Sequence, residues 1–271
     1  MSVPVIGAAL ALEDLRIYRD WIVEKQRDLE LQSFVDAKVL MSDWADLAAA
    51  HKELLDGYTG RLGIHGPFWG FTLHSIDPEI RDVVRRRVAQ GLDVCEALGA
   101  TSMVLHSPYT TWDYNNIDNY ANGRSSVIGN THDTLAAAVK RAEDMGVTLV
   151  LENIEDINPA DRRILAESFD SVAVKLSVDT GHAHYAHGST GAPPVDYYIR
   201  HAGEMLGHVH LQDADGYADR HWALGQGTIR WHAVFAAIKA TGADPRLILE
   251  LRDKAGLPAS MEYLAREGLG Q

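Results

Sequence analysis

Residues 132–152 read HDTLAAAVKRAEDMGVTLVLE, and this stretch decides the fold. Its first part is an amphipathic helical pattern. Its second is a short apolar run that ends on a carboxylate, Glu152. The same alternation recurs along the chain. Strands are expected at Val3–Ala9, Leu29–Val35, Arg61–Gly66, Ser102–His106, Thr148–Glu152, Ala173–Asp179, Leu206–His210 and Leu247–Glu250. Helical stretches such as PEIRDVVRRRVAQGLDVCEALGA and RWHAVFAAIKATG lie between them; the first has Pro78 near its start and Gly99 at its end, as helix boundaries favour. Strands alternating with helices predict a parallel sheet, and eight of them in one domain predict an α/β fold closed as a (β/α)₈ TIM barrel.

Composition agrees with one globular domain over residues 1–271, with 46% hydrophobic and 23% charged residues. No low-complexity linker or charge block divides the chain. The lone cysteine, Cys95, sits in an amphipathic helical stretch, so no disulfide framework can be drawn and a reducing, cytoplasmic location is expected. The first residues, MSVPVIGAALALEDLRIYRD, lack a basic leader and meet Glu13 and Asp14 early, the pattern of a buried strand running into a helix rather than a signal peptide. No run approaches the roughly 20 apolar residues of a membrane span. A net charge of −13, from 38 acidic and 25 basic residues, repels phosphate backbones and makes nucleic acid an unfavoured partner.

The ends of the strands carry the chemistry. They read IHG (His65), VLHS (His106), VLEN (Glu152), VDTGH (Asp179 and His182), HVHLQD (His210) and LILEL (Glu250). In a parallel barrel these termini converge on one mouth, where barrel active sites sit. Ending successive apolar strands in acids and histidines is costly unless those groups pair or bind a cation. Glu152, Asp179, His210 and Glu250 form a mixed oxygen and nitrogen set that suits Mn²⁺, Mg²⁺, Co²⁺ or Zn²⁺. His208 points the same way as His210, one pleat deeper, and is expected as a buried, hydrogen-bonded support beneath it.

A second polar cluster follows the seventh strand in DADGYADRHWALGQG, where Asp219 and His221 are separated by one residue. The DTGH turn adds His182, three residues beyond Asp179 and able to face the same cavity. His184 and His187 continue that turn and are expected to be solvated or supporting. His51, His74, His132, His201 and His232 show no such pattern and are read as structural.

These residues make the chain recognisable. It resembles the xylose-isomerase-like barrel superfamily, which contains sugar and sugar-phosphate isomerases and epimerases together with type IV apurinic-site endonucleases. The resemblance runs from the His65 strand to the Glu250 strand, and VLEN, SVDTGHAH and HVHLQDADGYADRHWALGQGTIRW are its most specific segments. Resemblance to the ketose 3-epimerases implies one divalent ion on Glu152, Asp179, His210 and Glu250, with His182 touching the sugar. Resemblance to the endonucleases implies up to three ions on a fuller set: His65, His106, Glu152, Asp179, His182, His210, Asp219, His221 and Glu250. Homo-oligomers are common among the resembling enzymes.

For the reaction, the expectation is a metal-dependent isomerase or epimerase of a small sugar or sugar phosphate working through an enediolate, with Glu152 and Glu250 as general base and acid. Trp69, Tyr109, Trp112 and Tyr114 in the mouth loops are candidates to cover a sugar face, and Arg252 to meet a substrate phosphate or carboxylate. An apurinic-site phosphodiesterase, a keto-sugar or inosose dehydratase, and a non-catalytic metal- or sugar-binding barrel stay open. Against the phosphodiesterase stands the shortage of basic residues in the mouth loops: Arg124 alone in SPYTTWDYNNIDNYANGRSS, and Arg220 alone against Asp213, Asp215 and Asp219.

Overall fold

The computed structural model describes residues 3–271. Eight short strands, β1 (Gly7–Leu10), β2 (Leu29–Leu31), β3 (Leu62–His65), β4 (Ser102–His106), β5 (Thr148–Glu152), β6 (Val174–Asp179), β7 (Leu206–Leu211) and β8 (Arg246–Leu249), pair in sequence order. All pairs are parallel, and β8 returns to β1 to close the barrel. Such pairing requires a crossover between consecutive strands, and each one contains at least one helix.

The helix boundaries follow local chemistry. In Pro78–Leu98 the Asp77 side chain accepts from the Glu79 N–H, Pro78 occupies the first turn, and Gly99 closes the end at φ 69°. The helix before β5 is longer than its amphipathic stretch suggested, running Gly123–Met145. Its inward face, including Leu135, Val139 and Ala142, packs into the core that surrounds the barrel.

Two strands differ from expectation by more than one residue at an end. β1 begins at Gly7 rather than Val3, because Pro4 has no N–H to give a sheet and the segment pairs instead with the chain end: Ile6 N donates to Gln271 O and Gln271 N to Pro4 O. β2 stops at Leu31 rather than Val35, because the Ser33 hydroxyl accepts from Leu12 N and the chain turns toward a helix capped by Asp36. A register shift between Leu176 and Ser177 lets β7 skip Gly207, so that Ser177 stands opposite His208 and Asp179 opposite His210. Among the described residues no helix is long and apolar enough to cross a membrane.

Candidate metal centre

The strand-end residues meet as expected from the sequence. Glu152 ends β5, Asp179 ends β6, His210 lies near the end of β7, and Glu250 follows β8 directly. All four are buried, and they offer donor atoms lying within 4.8 Å of one another. Nδ1 of His210 is the hub, 2.8 Å from Glu152 Oε1, 3.4 Å from Glu250 Oε2 and 4.0 Å from Asp179 Oδ2.

Two further groups flank this centre. Oε2 of Glu152 turns away from His210 toward His65 Nε2 at 3.7 Å and His106 Nε2 at 3.8 Å. That oxygen is buried and has no hydrogen-bond partner. On the outer side His182 Nε2 and His221 Nε2 approach Asp219 Oδ1 at 3.5 and 3.1 Å. Both flanking groups also offer three donor atoms within 4.8 Å of one another.

The histidines are aimed from behind. Nδ1 of His65 donates to the Gly66 carbonyl at 2.9 Å, Nδ1 of His182 to the Asn153 carbonyl at 3.0 Å, and Nδ1 of His221 to the Glu250 carbonyl at 3.0 Å. A carbonyl only accepts, so Nδ1 carries hydrogen in each ring and Nε2 is left to face an acid, Glu152 for His65 and Asp219 for His182 and His221. His210 is reversed: its Nε2 rests on a buried carboxylate, Glu30, and its Nδ1 faces the centre.

The acids are held with equal care. Asp179 Oδ1 accepts from the His182 N–H and so caps the helix Thr180–Thr190 while its carboxylate faces the centre. Asn153 clasps the ends of β5 and β6, donating to Asp179 O and accepting from Asp179 N. The Gln212 amide donates to both Asp179 Oδ1 and Asp219 Oδ1 and accepts from His221 N. Gly181 leaves it room, since a Cβ there would sit 2.2 Å from the Gln212 amide and push it off these partners. Gln32 donates to Glu250 Oε1 at 2.6 Å, and Lys254 in turn donates to Gln32 Oε1.

Burial and neighbouring charge pull against each other in this cluster. Burial pushes the Asp179 carboxyl up to about 6. Burial also disfavours charge on His210, His182 and His221, yet the acids around them win: the first two are raised well above the ordinary range and His221 to about 9. His106, with burial dominant, drops to about 3 and stays neutral. Buried acids that hold protons on their neighbours, an orphaned carboxylate oxygen and nitrogen atoms aimed at both together fit a hard or borderline divalent ion.

The remaining candidates lie farther out. Trp112 is on the short helix Thr111–Asn116 and is 75% exposed; Trp69 and Tyr114 are also exposed, whereas Tyr109 is buried. Arg252 is exposed, its Nη2 3.5 Å from the Asp219 carbonyl. His184 and His187 bond to Thr228 and the Ala192 carbonyl and join no donor group among the described residues. His208 lies under His210 as expected, bonded to Ser177 Oγ at 2.8 Å. Sequence reasoning missed Glu30, Asn153, Gln212 and Gln32. Beside His106 a cavity of about 140 Å³ opens, walled by Phe68, Phe71, Leu105, Tyr109 and Ile154. A larger one, about 750 Å³, opens where the strands begin, and its acids Asp28 and Asp244 both pair with Arg61.

The chain belongs to the xylose isomerase-like TIM barrel family, whose model matches residues 28–269. Its fold is similar to that of a D-tagatose 3-epimerase-like protein, with a TM-score of 0.77 and 22% identity over 97% of both chains. It is also similar to the TTHB071 protein from Thermus thermophilus, soaked with ZnCl₂, with a TM-score of 0.72 and 26% identity over 96% of both chains. A D-psicose 3-epimerase crystallised in the presence of D-fructose matches with a TM-score of 0.68 and 20% identity over 98% of this chain and 96% of that one.

Proposed function

We propose that this protein is a divalent-metal-dependent isomerase or epimerase of a small sugar or sugar phosphate, working through an enediolate. The observation that carries the reading is the convergence of Glu152, Asp179, His210 and Glu250, each buried, on one point at the barrel mouth. Those four would hold the central ion. His65 and His106 with Glu152, and His182 and His221 with Asp219, would hold up to two more. A bound Mn²⁺, Co²⁺, Zn²⁺ or Mg²⁺ supplies Lewis acidity, polarising a substrate carbonyl and steadying the charge that develops as the neighbouring C–H proton leaves.

The chain's own groups do the rest. Glu152 and Glu250 both reach the Nδ1 side of His210, at 2.8 and 3.4 Å, and so stand within reach of one small substrate. One takes the proton from carbon and the other returns a proton, with no net redox change. Gln32 keeps Glu250 oriented as an acceptor, and the surrounding burial excludes water. His182, Trp112 and Arg252 are assigned to the substrate, and Phe68, Phe71 and Tyr109 in the cavity beside His106 offer carbon faces to it. Folds shared with proteins named for D-tagatose and D-psicose epimerisation support this substrate class.

A phosphodiesterase acting on abasic DNA is the second reading, favoured by the presence of both flanking donor groups beside the central four residues. Its weakness is charge. Arg124 is tied to Asp118 and Asp161, and Arg220 to Asp215, which leaves the mouth loops little to offer a phosphate backbone.

Solvent-deuterium incorporation across a panel of ketoses and ketose phosphates, with Mn²⁺, Co²⁺, Zn²⁺ or Mg²⁺ supplied, tests the proposal. Exchange at a carbon next to the carbonyl is expected with at least one substrate. Exchange followed by loss of water would select a dehydratase. No exchange with any sugar, alongside cleavage of abasic duplex DNA, would reverse the assignment.

A further inference from the structure

Glu30 is an acid in the middle of an apolar strand, flanked by Leu29 and Leu31 and 2% exposed. It points into the barrel beneath the donor groups. Both of its oxygens lie 3.1 Å from Nε2 of His210, and Oε2 is also 3.1 Å from Nε2 of His208, there outside hydrogen-bond alignment. His208 is itself pinned by Ser177 Oγ on the neighbouring strand. A buried carboxylate is costly in a position where leucine would pack, so its presence there calls for a specific use.

We propose that Glu30 is the positioning residue for His210: by gripping Nε2 from below, it turns Nδ1 toward Glu152, Asp179 and Glu250 and makes that nitrogen a stronger electron-pair donor. The inference rests on the metal reading above. It is carried by contrast within this one site. His65, His182 and His221 are each backed by a neutral backbone carbonyl and present Nε2, whereas His210, at the hub, is backed by a carboxylate and presents Nδ1. A carboxylate behind an imidazole fixes both tautomer and ring orientation, and donates charge that a carbonyl does not. Sitting between His208 and His210, Glu30 cannot swing without breaking both contacts.

The test uses zinc and the full chain. Glu30→Gln keeps an oxygen for the His210 N–H but loses the charge, and Glu30→Ala loses both. Zinc affinity of the tightest ion, measured by competition with a chromophoric chelator, is expected to fall about 10- to 100-fold, more for Ala than for Gln, with the number of ions unchanged. Melting of the metal-free variants separates this from simple destabilisation, because a purely structural role would lower Tm without moving zinc affinity. Affinities within about twofold of the parent would overturn the proposal. Loss of a whole ion would overturn it as well, by making Glu30 a ligand. Should neither variant fold, the parent decides: ¹⁵N-histidine spectra of the zinc-loaded protein are expected to show His210 with Nδ1 bound to metal and hydrogen on Nε2, and binding through Nε2 would end the idea. A parent that binds no zinc would sink this inference together with the proposed function, whereas unchanged Glu30 variants of a zinc-binding parent would sink this inference alone.

Discussion

Glu152 Oε1 lies 2.8 Å from Nδ1 of His210, while the other oxygen of the same carboxylate faces His65 and His106. One side chain therefore belongs to two donor groups. Glu152→Gln should weaken metal binding at both, since each loses the carboxylate charge, and abolish it at one, where the amide must present an N–H donor whichever way it is turned. Elemental analysis of protein purified without chelator should show that loss, and deuterium exchange into substrate should fall by more than about 100-fold. Parent-like metal content in the variant would remove Glu152 from the site.

Asp179 does two jobs that substitution can separate. Its Oδ1 caps the helix Thr180–Thr190, and its carboxylate faces the central group. Asparagine caps a helix as well as aspartate does, whereas alanine does not. Asp179→Asn should lose metal yet unfold in urea at the parent's midpoint or above when metal-free, because it removes a charge that burial disfavours. Asp179→Ala should lose metal and about 1 kcal/mol of metal-free stability.

Protons compete with the ion. In metal-free protein His182, His210 and His221 hold protons above the ordinary range, His221 up to about 9. Metal uptake must displace the protons on the coordinating nitrogens, so it should release acid and tighten as pH rises toward 9. The stability that His221 gives the metal-free fold runs the other way. It is complete below the ordinary histidine value of 6.5 and is lost as pH climbs through about 9. Thermal melts with and without zinc should therefore diverge with increasing pH. A constant gap between the two from pH 6.5 to 9 would contradict the arrangement.

Behind the loop that follows β5, Arg162 and Asp156 form a fully buried ion pair at 3.2 Å, and Arg162 also donates to the carbonyls of Leu151 and Ser177. Arg162→Met takes the cationic partner from the buried Asp156 carboxyl and the donor from the Leu151 and Ser177 carbonyls. It should cost about 3–5 kcal/mol in urea unfolding, and combining it with Asp156→Asn should recover part of that loss.

The barrel and its donors were legible because both lie in a linear pattern. An apolar run cut off by Glu152, Asp179 or Glu250 announces a strand and its functional end together. Glu30 carries the same signal, an acid in an apolar setting, but LEL is only three residues long and sits between Arg27–Asp28 and Gln32–Ser33, where one more charge attracts no notice. Asn153 and Gln212 were hidden for another reason. Each acts by orienting an amide between strands, and spacing along the chain does not encode which way an amide points. The exposure of Trp112 and Arg252 is likewise a matter of side-chain placement on loops.

Gly181 and Gln212 also constrain how this chain can change over generations. A side chain at 181 pushes the 212 amide off Asp179 and Asp219 unless 212 has already shrunk. Shrinking 212 first releases Asp179 and Asp219. Neither step is neutral alone, and each substitution waits on the other. The pair is an epistatic lock, and a combinatorial library covering both positions should return almost no working single exchange, with any survivors concentrated among doubles.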